Sequence, residues 1–251
     1  VIHKLPQSGY QVLILECDRP SAIRRHVAFC EAVYDGTAEV EGVVCRRITE
    51  NDIRTQCRKC WAQGEIPLLT DTDGKHIREL EPEAVIDAIL AKKNLGTRIS
   101  DAPLVIGIGP GFTAAGDCHF VIETQRGEHL GEVIREGSAI PNTGIPGNIG
   151  GYTVERLLKA SADGIMHPVA RIGDVVKKGQ IVARCGDEPV YARLHGIVRG
   201  MLQEGVPVKK GLKIGDVDAR IEGKLCYTIS DKARKIGNGV AEAIDLVYKT
   251  K

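Results

Sequence analysis

Asp117, Cys118 and His119 stand in consecutive positions and bring together an acid, a thiol and an imidazole. The thiol is a nucleophile or soft ligand once ionised, and the imidazole titrates near neutral pH. Just upstream runs Gly107-Ile108-Gly109-Pro110-Gly111. Glycines without a Cβ let a ligand approach the main chain, and such a loop can aim its N–H groups at an anion. Positive charge nearby, with His119 alongside, would favour a thiolate at Cys118. These three residues are the candidate catalytic group, and an inert buried cysteine is the competing state of Cys118. Zinc on three successive residues is disfavoured because neighbours in an extended chain point to opposite faces. No metal site is predicted.

Other residues suit an anionic cofactor. Lys92, Lys93 and Asn94 follow the apolar stretch Val85–Leu90 and join Gly107, Gly109 and Gly111 as candidate ligand contacts. Arg24 and Arg25 form an adjacent pair able to hold a phosphate. Glu16 closes the apolar run Val12–Leu15, the place where dinucleotide-binding folds keep an acid for ribose hydroxyls. Cys57-Arg58-Lys59-Cys60 has the spacing of a zinc half-site or redox pair, but no second CxxC or HxxxH completes it. Asp71-Thr72-Asp73-Gly74 begins like a calcium loop, yet position twelve is Pro82, which has no carboxylate.

The elements that must position these groups follow from local pattern. Residues 12–15, 66–69 and 103–107 are short apolar runs of the kind found in covered parallel strands. They are expected to share the centre of one mainly parallel sheet in an α/β, Rossmann-like domain over residues 1–150. Helices are predicted from Pro20 and over Asn51–Trp61, with Asn51 as cap, and Thr37–Val44 is predicted as a strand pair turning at Glu41-Gly42. Residues 83–90 fit either strand or helix. The turn-rich stretch 141–151 is read as a domain boundary or a loop over the site.

Beyond it, Gly164, Gly173 and Gly179 recur as Gly196, Gly205 and Gly211, each at an offset of 32 (196 − 164, 205 − 173, 211 − 179). Each copy alternates short strands and glycine turns, so residues 160–215 are expected to form a small β-sandwich with internal two-fold symmetry. Residues 225–251 then read as a strand through Ile229 and an amphipathic helix from Lys232 to Tyr248. That helix is capped by Ser230, broken at Gly237-Asn238-Gly239, and expected to return to the first domain.

Composition narrows the function classes. The 251 residues carry a formal net charge of +1, which gives no bulk attraction to nucleic acid or a membrane surface. Aromatics make up 4% of the chain, too few for base-stacking surfaces, and no apolar run approaches the roughly 18 residues of a spanning helix. Eight cysteines dispersed through a chain with a full-sized core suit reduced thiols and a cytoplasmic location. The chain begins with Val, so the natural N-terminus is expected to lie upstream.

Several blocks together resemble the YqeB family, accessory proteins of selenium-dependent molybdenum hydroxylases. They include Pro20-Ser-Ala-Ile-Arg-Arg, Gly107-Ile-Gly-Pro-Gly-Phe-Thr-Ala, Asp117-Cys-His, Val121-Ile-Glu-Thr-Gln-Arg-Gly, Pro141-Asn-Thr-Gly and Ile229-Ser-Asp-Lys. The resemblance spans essentially the whole chain; the related XdhC/CoxI group serves ordinary molybdenum hydroxylases. It implies a factor that matures such a hydroxylase, binds an anionic cofactor or a selenium donor, and docks on the apo-enzyme. The cofactor stays open between the molybdenum cofactor and a nucleotide, and whether the protein is itself an enzyme stays open too, as does self-association. Family members begin with a strand and glycine-rich turn that this sequence lacks, and Cys30 replaces an expected Ser. The repeat also resembles the biotinyl/lipoyl barrel-sandwich hybrid, but its tip, Cys185–Val190, lacks the carrier lysine. The competing functions are an NAD(P)-linked oxidoreductase and a pure assembly module.

Overall fold

The computed structural model describes residues 1–144 and 146–249; Ile145, within the turn-rich stretch, lies outside them. The first strands are β1 (Ile14–Glu16), β2 (Thr37–Val40), β3 (Val43–Ile48), β4 (Ile66–Thr70), β5 (Ala84–Asp87) and β6 (Leu104–Ile108). Next come β7 (Thr113–Ala114), β8 (Phe120–Ile122), β9 (Val133–Ile134), β10 (Gly137–Ser138), β11 (Leu157–Lys159) and β12 (Gly164–Pro168). The last are β13 (Val175–Val176), β14 (Ile181–Cys185), β15 (Glu188–Tyr191), β16 (Gly196–Met201), β17 (Pro207–Val208) and β18 (Lys213–Asp218). The α-helices are α1 (Ala32–Asp35), α2 (Ile53–Ala62), α3 (Ile77–Leu80), α4 (Lys224–Tyr227) and α5 (Asp231–Tyr248). The protein is thus mixed α/β, with parallel and antiparallel pairing in separate sheets and a long C-terminal helix.

Two compact units divide the chain. One comprises Val1–Leu15, Asp71–Gly144 and Ser230–Lys251; the other comprises Glu16–Thr70 and Ile145–Ile229. This differs from the expected division at 150. Residues 16–70 group with the repeat segment for an identifiable reason: Met201 N donates to Ile23 O at 2.8 Å, Arg25 Nε to Met201 O at 2.8 Å, and an Arg24 NH2 to Leu225 O at 2.9 Å. The single parallel sheet is also corrected. β4 pairs in parallel with β3, whereas β6 lies in another sheet of order β5-β6-β8-β9.

In the first unit, β6 is buried along its whole length and pairs in parallel with β5 and β8; β9 closes the sheet antiparallel to β8. Helix α5 covers one face through Ile236, Val240, Ala243 and Ile244, which pack on Leu104, Ile106 and Ile122. Ala233, one turn before that face begins, is exposed. The helix is not broken at its glycines. A Cβ on Gly239 would collide with the carbonyl oxygen of Gly131, so the missing side chain lets helix and loop touch. Ser230 is the cap, its Oγ accepting from Ala233 N at 3.2 Å.

In the second unit, β2 and β3 form the predicted hairpin at Glu41 (φ 47) and Gly42 (φ 80), the left-handed pair of a type I′ turn. Helix α2 is capped by Asp52 rather than Asn51. No α-helix starts at Pro20; a single 3-10 turn spans Arg25–Val27. Residues 224–227 are the short helix α4, not a strand. Two four-stranded sheets, β11-β18-β16-β13 and β15-β14-β12-β17, enclose one core that includes Met166, Val182, Val198, Met201 and Ile214. Strands β12, β13 and β14 start at 164, 175 and 181, and β16, β17 and β18 start at 196, 207 and 213, so the 32-residue offset is present in the strands themselves.

Candidate functional site

The glycines after β6 are required by close packing. A Cβ at Gly107 would enter the Phe112 ring. Gly109 (φ 82) donates its N–H to Ile122 O at 2.9 Å, and a Cβ there would lie 2.8 Å from Thr124 Oγ1. At Gly111 (φ 112) a Cβ would lie 2.6 Å from both N and Cα of Lys93. The structure therefore presses the 107–111 loop against Lys92 and Lys93.

These segments meet at the carboxyl ends of three parallel strands, where open α/β sheets hold ligands. β5 ends in buried Asp87, whose Oδ1 accepts from Ile89 N at 3.0 Å and whose Oδ2 accepts from Thr97 Oγ1 at 2.6 Å. Asn94 is consumed by the same loop: Oδ1 accepts from Gly96 N and Thr97 N, both at 2.8 Å, and Nδ2 donates to Thr97 O. Leu90 (φ 59) and Lys92 (φ 62) adopt left-handed backbone, which costs energy for residues with a Cβ. Glu123 follows β8 directly and is only 2% exposed. Its Oε1 accepts from Thr124 N and Gln125 N at 2.7 Å, and its Oε2 from Ile140 N at 2.8 Å.

The first turn of α5 adds Lys232. Burial holds its ammonium below the usual lysine range, the charges of Arg126 and Lys92 push the same way, and Glu123 opposes them. Lys92, Arg126 and Lys232 thus form one coupled cation group beside the glycine loop. Among the described residues, no ion pair engages any of them, nor Lys93. The one acid that acts on Lys232, Glu123, already receives three main-chain N–H bonds. Such an arrangement attracts an anion.

The expected catalytic trio has a different role. Cys118 is wholly buried with Val105, Phe112, Ala114, Val121 and Ala139, and its Sγ faces Thr113 O at 3.9 Å. Burial pushes its thiol up to about 11; a main-chain bond from Gly107 opposes this, while Asp117 and Asp87 reinforce it. Burial first, and then carboxylates rather than lysines, thus favour the neutral core thiol over the expected thiolate. His119 accepts Val105 N at Nδ1 (3.0 Å) and donates its own N–H to Val105 O at 2.8 Å, which ties β6 to the residue before β8. This assigns the ring proton to Nε2. Asp117 closes a turn, with Oδ2 accepting from Thr113 N at 2.8 Å. No His, Cys, Asp and Glu group able to hold a metal occurs among the described residues.

Glu16, Arg24 and Arg25 fall in the second unit and are engaged there. Glu16 Oε1 accepts from Cys17 N at 2.9 Å, and Arg25 pairs with Glu31 at 2.5 Å. Cys57 and Cys60 are buried on α2, with burial and Cys60 pushing the Cys57 thiol up to about 11. The residues that sequence reasoning left unassigned are Arg126 and Lys232. The signal for Lys232 was its place just after the Ser230 cap.

No protein-family model matches this chain. Over 241 residues it is 48% identical to a protein of Escherichia coli strain K12 named Uncharacterized protein YqeB. The chain is a relative of YqeB. The match covers 96% of this chain and 44% of that protein, so the chain spans less than half the length of its YqeB relative. A crystal structure of an aspartoacylase family protein from Mesorhizobium loti is similar at a TM-score of 0.24 and 13% identity, over 34% of this chain and 27% of that one. A likeness so low carries no argument.

Proposed function

We propose that the first unit binds an anionic cofactor or selenium donor, and that the protein acts as an accessory factor in maturing a selenium-dependent molybdenum hydroxylase. The observation that carries the binding half is the group Lys92, Arg126 and Lys232, free of ion pairs among the described residues, at the carboxyl ends of β5, β6 and β8. The maturation half rests on the resemblance to the YqeB family. In this reading Gly109 and Gly111 let the anion approach the main chain, the cations neutralise it, and Glu123 braces the loop that carries Thr124 and Arg126. In this reading Cys118 belongs to the core and is not the selenium carrier. The two-sheet module, read as a barrel-sandwich scaffold, supplies the docking surface for the apo-hydroxylase.

Calorimetry with pyrophosphate, NADP and molybdopterin tests the binding, with hydroxylase activity in cells as the functional readout. The double variant Lys92→Ala/Lys232→Gln is expected to bind about tenfold or more weakly and to lower hydroxylase activity. If none of the three ligands binds the parent, the reading fails.

A further inference from the structure

The second unit buries a cluster of charge that its fold does not balance. Arg156 precedes β11, Arg199 lies on β16, and Asp216 and Asp218 lie on β18; all four are more than nine-tenths buried. Half-buried Arg24 reaches the same place, and Arg220 borders it at the exposed edge. Four guanidinium groups face the two carboxylates of the cluster, with Glu222 acting on Arg220 from its edge, so positive charge is in excess.

The pairings are unequal. Asp218 is taken up by Arg220, through Nε at 2.9 Å and an NH2 at 2.6 Å, and Arg199 stands off from it at 3.5 Å. Asp216 accepts from Arg156 at 3.1 Å. Arg24 has main-chain carbonyls only, those of Leu225 and Thr228. The Nε atoms of Arg24 and Arg156 are buried with no acceptor. Unpaired buried donors and like charges are costly, and native structures keep them where something absent from the chain completes them. The backbone is also shaped for this cluster. The β16–β18 register shifts between Val198 and Gly200, so Arg199 sits at a bulge, a device that re-aims a side chain. A Cβ on Gly200 would lie 2.9 Å from Asp216 Oδ1 and 2.8 Å from Ile23 O.

We propose that Arg24, Arg156 and Arg199 form a binding site for a divalent tetrahedral oxyanion, a phosphate or a phosphoryl group. Its negative charge offsets the excess, and oxyanion lone pairs accept the orphaned Nε–H donors in the fork geometry that arginine offers. The site is separate from the cation group of the first unit and does not depend on that group's function.

The test uses the full chain in the Lys92→Ala/Lys232→Gln background, so that the other cations do not contribute. Melting temperature and calorimetry are followed as sodium phosphate replaces sodium chloride at constant ionic strength. Phosphate is expected to raise the melting temperature saturably. Arg156→Gln and Arg199→Gln are each expected to weaken binding about tenfold or more. Arg24→Met separates binding from folding: in chloride it melts at or above its parent, because repulsion with Arg199 is relieved, and in phosphate it gains less. Glycerol phosphate distinguishes the source; a matching response points to a phosphoryl group on a larger molecule, and none points to the free ion. The proposal is overturned if phosphate does no more than chloride, or if its effect survives in both Arg156→Gln and Arg24→Met.

Discussion

Asp87 and Asp117 are the charges that act on Cys118, and both oppose ionisation, as burial does. The unfolded thiol, near 9.0, releases its proton before the folded one at about 11. Stability from this group is therefore full below pH 9 and falls as pH rises toward 11, by at most about 1.4 kcal/mol per pH unit. Urea unfolding across that window should show Cys118→Ala losing less than the parent. The same substitution should leave hydroxylase maturation intact, whereas Lys232→Gln should lower it. His119→Ala leaves the buried Val105 N–H without its side-chain acceptor and should cost about 1–3 kcal/mol, read from the same urea curves. Local chemistry at Asp117, Cys118 and His119 was legible in the sequence, but its purpose was not. The types that make a nucleophilic site also make a buried turn, and only burial and the sign of the surrounding charge separate the two.

Elements show the same division between near and far. The 37–48 hairpin and the 32-residue offset of β12–β14 onto β16–β18 could be read directly, because both are fixed by turn residues and short-range alternation. Sheet membership could not. The apolar runs at 66–69 and 103–107 look alike, and parallel pairing is decided by partners far along the chain. The glycines of α5 weaken a helix in isolation, yet here Gly239 admits Gly131 and Gly237 admits Val1 against the helix. Gly239→Ala should therefore destabilise by about 1–3 kcal/mol despite alanine's better helix propensity, and thermal melting will show the direction. Gly111→Ala, with φ 112 and Lys93 backbone 2.6 Å away, should both destabilise and weaken anion binding, since the Lys92–Lys93 segment must move.

At the scale of the molecule, no helix among the described residues is long and apolar enough to cross a membrane. The interleaving of the two units makes a further prediction. A fragment of residues 1–150 lacks α5, which covers β6 and β8, and it separates residues 16–70 from the strands they bond to. It should be poorly folded by circular dichroism and prone to aggregate. A cooperative melt of that fragment would argue against this division of the chain.

The chain crosses between the two units four times, at 15/16, 70/71, 144/145 and 229/230. Synthesis is vectorial, and the consequence is an order of events. β8 ends at Ile122 and α5 begins at Asp231, 109 residues later (231 − 122). At the roughly 5–20 residues per second of translation, the bare face of the β5-β6-β8-β9 sheet waits on the order of 5–20 seconds for its helix. Strands β11 to β18 emerge within that wait, and β2, β3 and β4 of the same unit have emerged before it. The sandwich can close first, and the cation group at the ends of β5, β6 and β8 is completed only when Lys232 arrives. The nascent chain thus carries an open apolar sheet face while those 109 residues are added, and that interval is when a chaperone has a surface to hold.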